Sequence, residues 1–314
     1  MNNNGEYAMR ILVIASNTNF LDWIKKFPYE VDVFKFDTKI SRIKKVFFWS
    51  ILKPRLKLLS WTHDVVFCDW FEEHASIMSK ISSKPIFIRL HRFEAHNPLH
   101  IKKAKYENIK GIITVSEYYK KIVNEIINGQ VPIYVIPNSI DTAKFSFNMK
   151  TNYPLKICTL GNLTHRKRVF DLIVNNPDIE INIGGIGPEI KILKDSIKRF
   201  NSKATLHGFV RLPNFYHQHD IFILNSSDEG HCVALLEAMS SGLIPLSFAW
   251  NGVEETLPEE FIYQNYSELR KKINYLNSLP KNDIMNKKRE VRSIIESKYT
   301  LKHQIEKFLS IFKI

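Results

Sequence analysis

The amino-acid sequence predicts an α/β protein built from two doubly wound domains with parallel sheets. The chain has 314 residues, enough for two domains of about 150 residues each. Hydrophobic residues make up 44% and charged residues 25%, a globular composition that argues against intrinsic disorder and against a small disulfide scaffold. Short apolar, β-branched runs alternate with amphipathic stretches, which is the pattern of parallel strands covered by helices on both faces.

The first half contains six strand candidates, each a nearly continuous apolar run of the kind found when both faces of a sheet are buried. They cover residues 10–15, 31–36, 63–68, 85–90, 111–115 and 133–136. Amphipathic segments at 72–81 and 117–127 predict helices between them. The same alternation continues in the second half, with a basic helical region from Tyr266 onward. The strand candidates of the second half cover residues 155–160, 179–183, 204–209, 219–224 and 243–247.

The alternation is interrupted between Phe147 and Pro154, where polar residues and a proline replace the apolar runs. We therefore expect an N-terminal domain over residues 1–148 and a C-terminal domain over 149–297, each long enough for one doubly wound unit. A last helical segment at 298–314 is expected to pack back on the N-terminal domain.

Cysteine usage and the N-terminus indicate the compartment. Cys68, Cys158 and Cys232 lie in or beside apolar runs and at no metal-ligand spacing. Such a scattered, odd set predicts buried thiols in a reducing compartment. The N-terminus has neither a basic region nor an apolar core long enough for a signal peptide, and no window approaches the ~18 apolar residues of a membrane span. We expect a cytoplasmic protein.

Basic residues outnumber acidic ones by 45 to 32, for a formal charge of +13. This excess predicts an acidic partner, such as nucleic acid, an anionic membrane face or a phosphorylated ligand. The densest basic stretch, 40–61, runs from Ile40 to Trp61 without an acidic residue and is interleaved with aromatic residues and leucines. It fits an interfacial element on an anionic membrane or an ordinary basic helix packed on the first sheet. Because Pro54 interrupts it, we do not expect one clean helix.

The segment 220–245 carries the most specific chemical pattern in the chain. An apolar strand at Ile221–Leu224 runs into a polar loop, and a helix is predicted to begin near Cys232. Ligands of parallel sheets bind at the carboxyl ends of the strands, and the free N–H groups of a helix start suit a phosphate. Glu229 lies in the loop and Glu237 about 12 Å further along a helix axis. We expect Glu229 at the reactive end of the ligand and Glu237 near ribose hydroxyls, the alternative being a solvated Glu237.

These residues resemble the E-x7-E signature of family-four glycosyltransferases, which are retaining enzymes of the GT-B fold. In that fold two Rossmann-like domains face each other across a cleft. Glu229 and Glu237 would be the two acids of the signature, followed by Gly242 and Pro245. Other segments resemble the family in the same order and spacing, which makes the resemblance specific. They are residues 136–141, 161–173, 184–189 and 207–210, with Gly252 and Glu255 after the helix.

The resemblance implies that a UDP- or GDP-linked sugar donor binds the C-terminal domain, with Glu229 near the donor sugar and Glu237 at the ribose. It implies Lys167 as a further catalytic residue at the diphosphate. A fixed cation there would stabilise charge that develops on the leaving group. The remaining donor-binding candidates are Gly161, Arg166, Arg168, Gly185, Gly187, Gly208, Phe209, Val210, Gly230, His231, Cys232 and Val233.

One departure from the family lies in the loop that holds Lys167. The family places an arginine earlier in this loop, where this sequence has Asn162. Arg166 or Arg168 is expected to supply the missing charge from a different position. The alternative for residues 164–168 is a solvated basic loop without a role in binding.

The N-terminal half matches the family less closely. Its first loop has no glycine, and Asn17 in that loop is an acceptor-binding candidate. His91 follows a predicted strand where the family commonly has a histidine that points into the cleft, so it is the third catalytic candidate; histidine suits proton handling near neutral pH. A structural histidine is the alternative. Arg89 and Arg92 are candidates for contact with the acceptor, expected to be a glycan or a lipid-linked or other anionic molecule; the alternative is that both arginines are solvated.

The family mechanism implies front-face departure and attack, in which the leaving phosphate oxygen helps to deprotonate the acceptor. No Asp-x-Asp pair occurs, so neither a metal nor another cofactor is expected. The leading interpretation is a hexosyltransferase-type enzyme that makes a cell-envelope glycan or glycolipid, an inference by analogy. The alternatives are a GT-B-fold sugar-nucleotide epimerase or hydrolase and, less well supported because no nucleic-acid motif occurs, a nucleic-acid-binding protein.

Overall fold

The structure, a computed structural model, describes residues 9–35 and 42–312. The predicted Phe36 end of the second strand and the beginning of the stretch 40–61 therefore lie outside the described residues. Two compact units are present, the first comprising Met1–Asn138 and Gln304–Ile314 and the second Ser139–His303.

The first unit contains a parallel six-stranded sheet with strand order β2-β1-β3-β4-β5-β6. Its strands are β1 (Arg10–Ala15), β2 (Glu30–Lys35), β3 (Val65–Asp69), β4 (Ile86–Arg89), β5 (Ile109–Thr114) and β6 (Ile133–Val135). Its helices are α1 (Arg42–Trp61), α2 (Glu73–Ile81), α3 (Arg92–His96), α4 (Leu99–Lys103) and α5 (Glu117–Ile127). Each of the six predicted strands is present, and α5 has the predicted bounds.

The prediction that Pro54 would interrupt the stretch 40–61 was wrong. Residues 42–61 form one helix with Pro54 inside it. Trp49, Leu52 and Leu56 on one side of α1 are buried in the core of the first unit. A proline inside a helix costs about 3 kcal/mol, and burial of three large side chains at roughly 1.5–3 kcal/mol each outweighs it.

The second unit contains another parallel six-stranded sheet, with strand order β12-β11-β10-β7-β8-β9. Its strands are β7 (Ile157–Leu160), β8 (Ile181–Gly184), β9 (Thr205–Gly208), β10 (Ile221–Leu224), β11 (Ile244–Phe248) and β12 (Ile262–Tyr263). Its helices are α6 (Val169–Asn175), α7 (Ile190–Arg199), α8 (Val233–Ser240), α9 (Tyr266–Ser278) and α10 (Lys281–Lys298). The last helix, α11 (Leu301–Phe312), belongs to the first unit from Gln304 onward. The sequence did not predict β12, which has only two residues. These two sheets confirm the predicted α/β fold.

The polar interruption at 147–154 belongs to a segment that is bound to the second unit. Arg292 on α10 donates hydrogen bonds to the carbonyls of Phe145 and Ser240 at 2.9 and 2.5 Å. The buried ammonium of Lys288, also on α10, lies 2.8 Å from the Asp220 carboxylate and 2.7 Å from the carbonyl of Lys150. The two units consequently separate between Asn138 and Ser139, ahead of the interruption.

The end of α11 packs within the first unit. Phe308 is fully buried and stacks on Trp23, with ring centroids 4.1 Å apart. Phe312 meets the edges of Phe27 and Phe87 at 6.0 and 5.1 Å. Within 9–35 and 42–312, no helix combines the length and apolar character that a bilayer crossing requires.

Candidate active site

Two cations hold Glu229 in the loop after β10. The carboxylate oxygen Oε1 of Glu229 lies 2.6 Å from Lys167 Nζ and 2.6 Å from Arg166 Nη1. Glu229 is only 7% exposed. Burial alone would raise its pKa, but Lys167 and Arg166 outweigh burial and hold the pKa below its ordinary value. The carboxylate is therefore ionised at neutral pH.

Neighbouring strands bring these residues together. Lys167 ends a short 3-10 turn at His165–Lys167 that follows β7, and β7 pairs with β10. Because the carboxyl ends of parallel strands lie at one edge of a sheet, the two loops meet there. Ser227 N–H donates to the Arg166 carbonyl at 2.9 Å, and Asn225 Nδ2 donates to the Arg168 carbonyl at 2.8 Å. These bonds fix the position of the cations relative to Glu229.

Three of the predicted donor-binding glycines allow this edge to close. Gly185 has φ +122°, and a Cβ there would lie 1.9 Å from the Gly161 carbonyl oxygen. A Cβ on Gly187 would lie 2.4 Å from the Leu163 carbonyl oxygen. The loops after β7 and β8 thus touch through backbone atoms, which a side chain would separate. Gly161 lies beside the Lys167 side chain, at 3.2 Å from Cε for an added Cβ.

Glu237, which lies on α8, has a different partner outside that helix. The hydroxyl of Tyr216 donates a hydrogen bond to Glu237 Oε2 at 3.0 Å. Burial raises the pKa of Glu237 to about 7, while the Tyr216 hydrogen bond and Lys144 oppose the shift. The structure therefore places Glu229 against two cations and Glu237 against a buried tyrosine. Nothing in the sequence pattern indicated the role of Tyr216.

The two arginines of the Lys167 loop point to different partners, although the sequence left open which one replaces the arginine absent at Asn162. Arg166 contacts Glu229, as described above. Arg168 instead donates to Asp171 at 3.0 Å, and its guanidinium lies 4.2 Å from the ring centroid of Phe248. Arg166 is thus the arginine that the structure brings to the carboxylate.

The loop after β9 presents an open aromatic side chain. Gly208 has φ +65°, and a Cβ there would meet nothing within 4 Å. The adjacent Phe209 is 80% exposed, whereas Val210 packs toward Gly184. A large exposed ring beside a backbone without side-chain cover is available for contact with a flat ligand.

The other predicted donor-binding residues lie around the start of α8. Gly230 follows Glu229, and Cys232 is the N-cap of the helix, with Val233 as its first residue. His231 is buried, and its ring centroid lies 4.9 Å from that of Tyr299. Burial raises the pKa of the Cys232 thiol to about 11, so the thiol stays neutral.

In the first unit, the predicted Arg89 and His91 share one carboxylate at the carboxyl ends of β3 and β4. Arg89 donates from Nε and Nη2 to the two oxygens of Asp69 at 2.6 and 2.9 Å. His91 Nε2 lies 3.3 Å from Asp69 Oδ1. Arg89 is fully buried, so it is not a solvated arginine. Burial lowers the pKa of His91 even though Asp69 opposes the shift.

Three residues that the sequence did not single out surround this pair. The ring of His91 lies 4.3 Å from that of Trp70 and 4.7 Å from that of Phe20. Trp70 has φ +72°, an unusual conformation for a bulky residue. Glu94 Oε1 accepts a hydrogen bond from the Phe71 N–H at 3.0 Å, which holds the turn after Trp70. Burial raises the pKa of Glu94 to about 8.

The remaining acceptor candidates lie nearer the surface of the first unit. Asn17 Oδ1 accepts from the Asn19 N–H at 2.9 Å, and Arg92 is the partly exposed first residue of α3. In the part of the chain that the structure describes, no three His, Cys, Asp or Glu side chains form a group that could hold a metal ion.

The comparison with protein families concerns the second unit. Residues 140–292 match the family model described as "Glycosyl transferases group 1". The matched segment makes up just under half of the chain. It contains the Lys167 loop, Glu229 and the whole of α8.

Curated proteins are similar to parts of this chain. A phosphatidylinositol N-acetylglucosaminyltransferase subunit of Homo sapiens is 31% identical over 170 residues, which are 48% of this chain and 34% of the relative. The O-antigen biosynthesis glycosyltransferase WbnH of Escherichia coli is 31% identical over 132 residues, 40% of this chain and 37% of the relative. Protein CapJ of Staphylococcus aureus is 24% identical over 243 residues, 73% of this chain and 56% of the relative. The chain thus spans 34% to 56% of the length of these relatives.

Solved structures extend the likeness of fold to nearly the whole chain. HepE of Anabaena in complex with UDP has a TM-score of 0.76 at 15% identity, over 96% of this chain and 99% of that one. The lipopolysaccharide outer core galactosyltransferase WaaB has a TM-score of 0.73 at 17% identity, again over 96% and 99%. The fold is that of the GT-B glycosyltransferases.

Within the second unit, the structure joins some predicted residues and separates others. Lys167, Arg166 and Glu229 form one cluster, although 62 residues separate Lys167 from Glu229. Arg168 and Glu237 each have other partners. Tyr216 was missed because an aromatic residue before a strand usually marks core packing, and only the structure shows its hydroxyl at Glu237.

Proposed function

We propose that the protein is a retaining, hexosyltransferase-type glycosyltransferase. It would move a sugar from a UDP- or GDP-linked donor to an acceptor in the biosynthesis of a cell-envelope glycan or glycolipid. The observation that supports this most directly is the pair of cations, Lys167 and Arg166, at one oxygen of the buried Glu229. The pair lies at the carboxyl edge of the sheet, where nucleotide ligands of such folds bind.

The diphosphate of the donor would lie against the two cations. In the proposed reaction the bond from the anomeric carbon to the diphosphate oxygen breaks, and an acceptor hydroxyl oxygen bonds to the same carbon on the same face. The acceptor proton passes to the departing phosphate oxygen. Lys167 and Arg166 offset the negative charge that grows on that oxygen, and we propose that no metal ion is needed.

Glu229 would orient the donor rather than act as an acid. Its lowered pKa keeps it ionised, so it suits hydrogen bonds from donor-sugar hydroxyls. We further propose that Glu237, oriented by Tyr216, binds the ribose hydroxyls, and that the open face at Gly208 and Phe209 receives the base.

The first unit would bind the acceptor. We place the acceptor at the carboxyl edge of its sheet, near His91, Asn17 and Arg92. His91 is neutral at physiological pH because burial lowers its pKa, so it can accept or donate a hydrogen bond there. Because the guanidinium of Arg89 is bound to Asp69 inside the unit, we propose that Arg89 positions Asp69 and His91 rather than holding an anionic acceptor itself.

Helix α1 suggests contact with an anionic membrane surface. Away from its buried side, Ile51, Leu58 and Trp61 are 60%, 61% and 55% exposed, and Lys53 and Lys57 are exposed among them. Apolar side chains beside basic ones are typical of interfacial helices. We propose a cytoplasmic protein that binds the inner face of the cell membrane. Leu58→Asp should reduce its sedimentation with vesicles containing an anionic lipid, and equal sedimentation with purely zwitterionic vesicles would contradict the proposal.

The activity is tested by following the anomeric signals of donor and product by NMR with purified protein. A product that keeps the anomeric configuration of the donor is expected, with activity that persists in EDTA. An inverted product would refute retention. Isomerised nucleotide sugar formed without acceptor would instead support an epimerase.

A further inference from the structure

We propose that the carboxyl edge of the first sheet recognises an uncharged sugar ring, so that the group of the acceptor bound there is a neutral saccharide and not a phosphate or a uronate. This inference rests on the proposed function, since it specifies the acceptor of that reaction. The overall charge of +13 suggests the opposite, and the local arrangement of side chains decides against it.

The buried charges at this edge cancel one another. Arg89 is the fully buried cation, and both oxygens of Asp69 bind it. His91 is only 7% exposed, and its lowered pKa keeps it neutral. Burial raises the pKa of Glu94 to about 8, so this carboxyl is protonated at neutral pH. An anionic group that entered here would lose its hydration and would find its nearest buried cation already paired.

Aromatic rings form one side of the edge. Phe20, Trp70 and His91 lie with ring centroids 4.3, 4.7 and 5.9 Å apart. Phe20 and Trp70 are each partly exposed. Sites for small uncharged ligands combine such rings with a few polar groups, and the C–H face of a sugar ring offers a flat apolar surface of matching size.

Three buried polar atoms at the same edge have no hydrogen-bond partner within the described residues. They are Arg89 Nη1, Trp70 Nε1 and Glu94 Oε2. Most buried polar groups in proteins are paired, so three in one place require an explanation. Sugar hydroxyls both donate and accept, so a sugar at this edge offers partners both for N–H donors and for a protonated carboxyl.

The backbone at Trp70, directly after β3, is held in an unusual conformation. Its φ of +72° is rare for an aromatic residue, and the hydrogen bond from the Phe71 N–H to Glu94 holds the turn. Strain of this kind is found where a structure must present a side chain in a defined position. Here it sets the indole beside His91.

Saturation-transfer NMR on the full chain tests the inference. The probes are the methyl glycosides of glucose, galactose, mannose and N-acetylglucosamine, with glucuronate and glucose 6-phosphate as anionic counterparts. We expect at least one neutral probe to bind more tightly than both anions. Trp70→Ala should weaken that binding by about tenfold, because it removes a ring contact. The control is Tyr275→Ala, an exposed aromatic residue on α9 of the second unit, which should leave binding unchanged.

Three results would contradict the inference. Tighter binding of either anion, no binding of any neutral probe at high millimolar concentration, or full binding by Trp70→Ala would each overturn the inference. If Trp70→Ala does not fold, Phe20→Ala is expected to show the same loss and takes its place. Thermal stabilisation by UDP and GDP is measured in parallel on the same samples. Intact nucleotide binding without sugar binding would reject the inference alone, and absent nucleotide binding would reject the proposed function.

Discussion

Lys167→Met tests the electrostatics of the candidate site because it removes one of two cations and keeps the apolar stem. In the wild type, Lys167 Nζ and Arg166 Nη1 are both 2.6 Å from Glu229 Oε1. The side chains of Lys167 and Glu229 are 12% and 9% exposed. Loss of one partner from a buried pair costs about 3–5 kcal/mol. Since Arg166 still contacts the same oxygen, we expect the lower end, about 3 kcal/mol.

This destabilisation should be measurable without loss of the fold. For a domain of this size, about 3 kcal/mol corresponds to a fall of roughly 6–12 °C in Tm. The transfer rate should fall further, by roughly 10²–10³, because a cation that stabilises the leaving group acts mainly in the transition state. The assays are calorimetric unfolding, circular dichroism of the folded variant, and initial rates of nucleotide release.

Lys271→Met is the matched control, since Lys271 is an exposed lysine on α9 and should leave both Tm and rate unchanged. A pH series separates the two effects of Lys167→Met. The lowered pKa of Glu229 means that its contribution to stability is present above the unfolded pKa and is lost as pH falls through the folded pKa. Without Lys167 that loss should begin at higher pH. A wild-type rate, or an unchanged acid limb, would refute the reasoning.

Three further predictions concern packing and buried charge. Gly185→Ala should lower the free energy of unfolding by more than about 3 kcal/mol and abolish nucleotide binding, since its Cβ would lie 1.9 Å from a carbonyl oxygen. The control is Gly129→Ala, where φ is +67° and the nearest atom lies at 4.0 Å. It should cost only about 1–2 kcal/mol in denaturant unfolding. Burial raises the pKa of Glu94 from 4.5 to about 8, so its stabilising effect is full below pH 4.5 and is lost as pH rises through about 8. Glu94→Gln should therefore flatten the fall in stability on the alkaline side. An unchanged pH profile of stability would contradict the raised pKa of Glu94. Lys288→Met should destabilise the protein by about 3–5 kcal/mol, because it leaves Asp220 buried without the cation at 2.8 Å; a loss no larger than that of Lys271→Met would count against it.

Periodicity predicted the positions of the strands along the chain because buried parallel strands need continuous apolar runs, as β1 and β10 show. It did not predict β12, since two residues are too few to show a period. The sequence also predicted that Pro54 would interrupt the helix, because the local cost of a proline can be seen in a sequence. The burial of Leu52 and Leu56 that offsets this cost cannot. The polar stretch at 147–154 resembled a linker because polar surface segments and linkers have the same composition.

The sequence likewise predicted only part of the candidate site. Glu229 and Lys167 could be found from their loop positions and from the family resemblance. Their common contact with Arg166 depends on strand pairing between β7 and β10, which single-sequence patterns do not reveal. The conformation of Trp70 could not be foreseen, since nothing about tryptophan suggests a positive φ.

We propose above all that Lys167 and Arg166 form the diphosphate site of a sugar-nucleotide donor. Calorimetric titration of UDP and GDP into wild type, into the double variant Arg166→Met with Lys167→Met, and into Lys271→Met tests it most directly. We expect one of the two nucleotides to bind wild type and Lys271→Met equally, and the double variant to lose this binding. Undiminished binding by a folded double variant would contradict the claim.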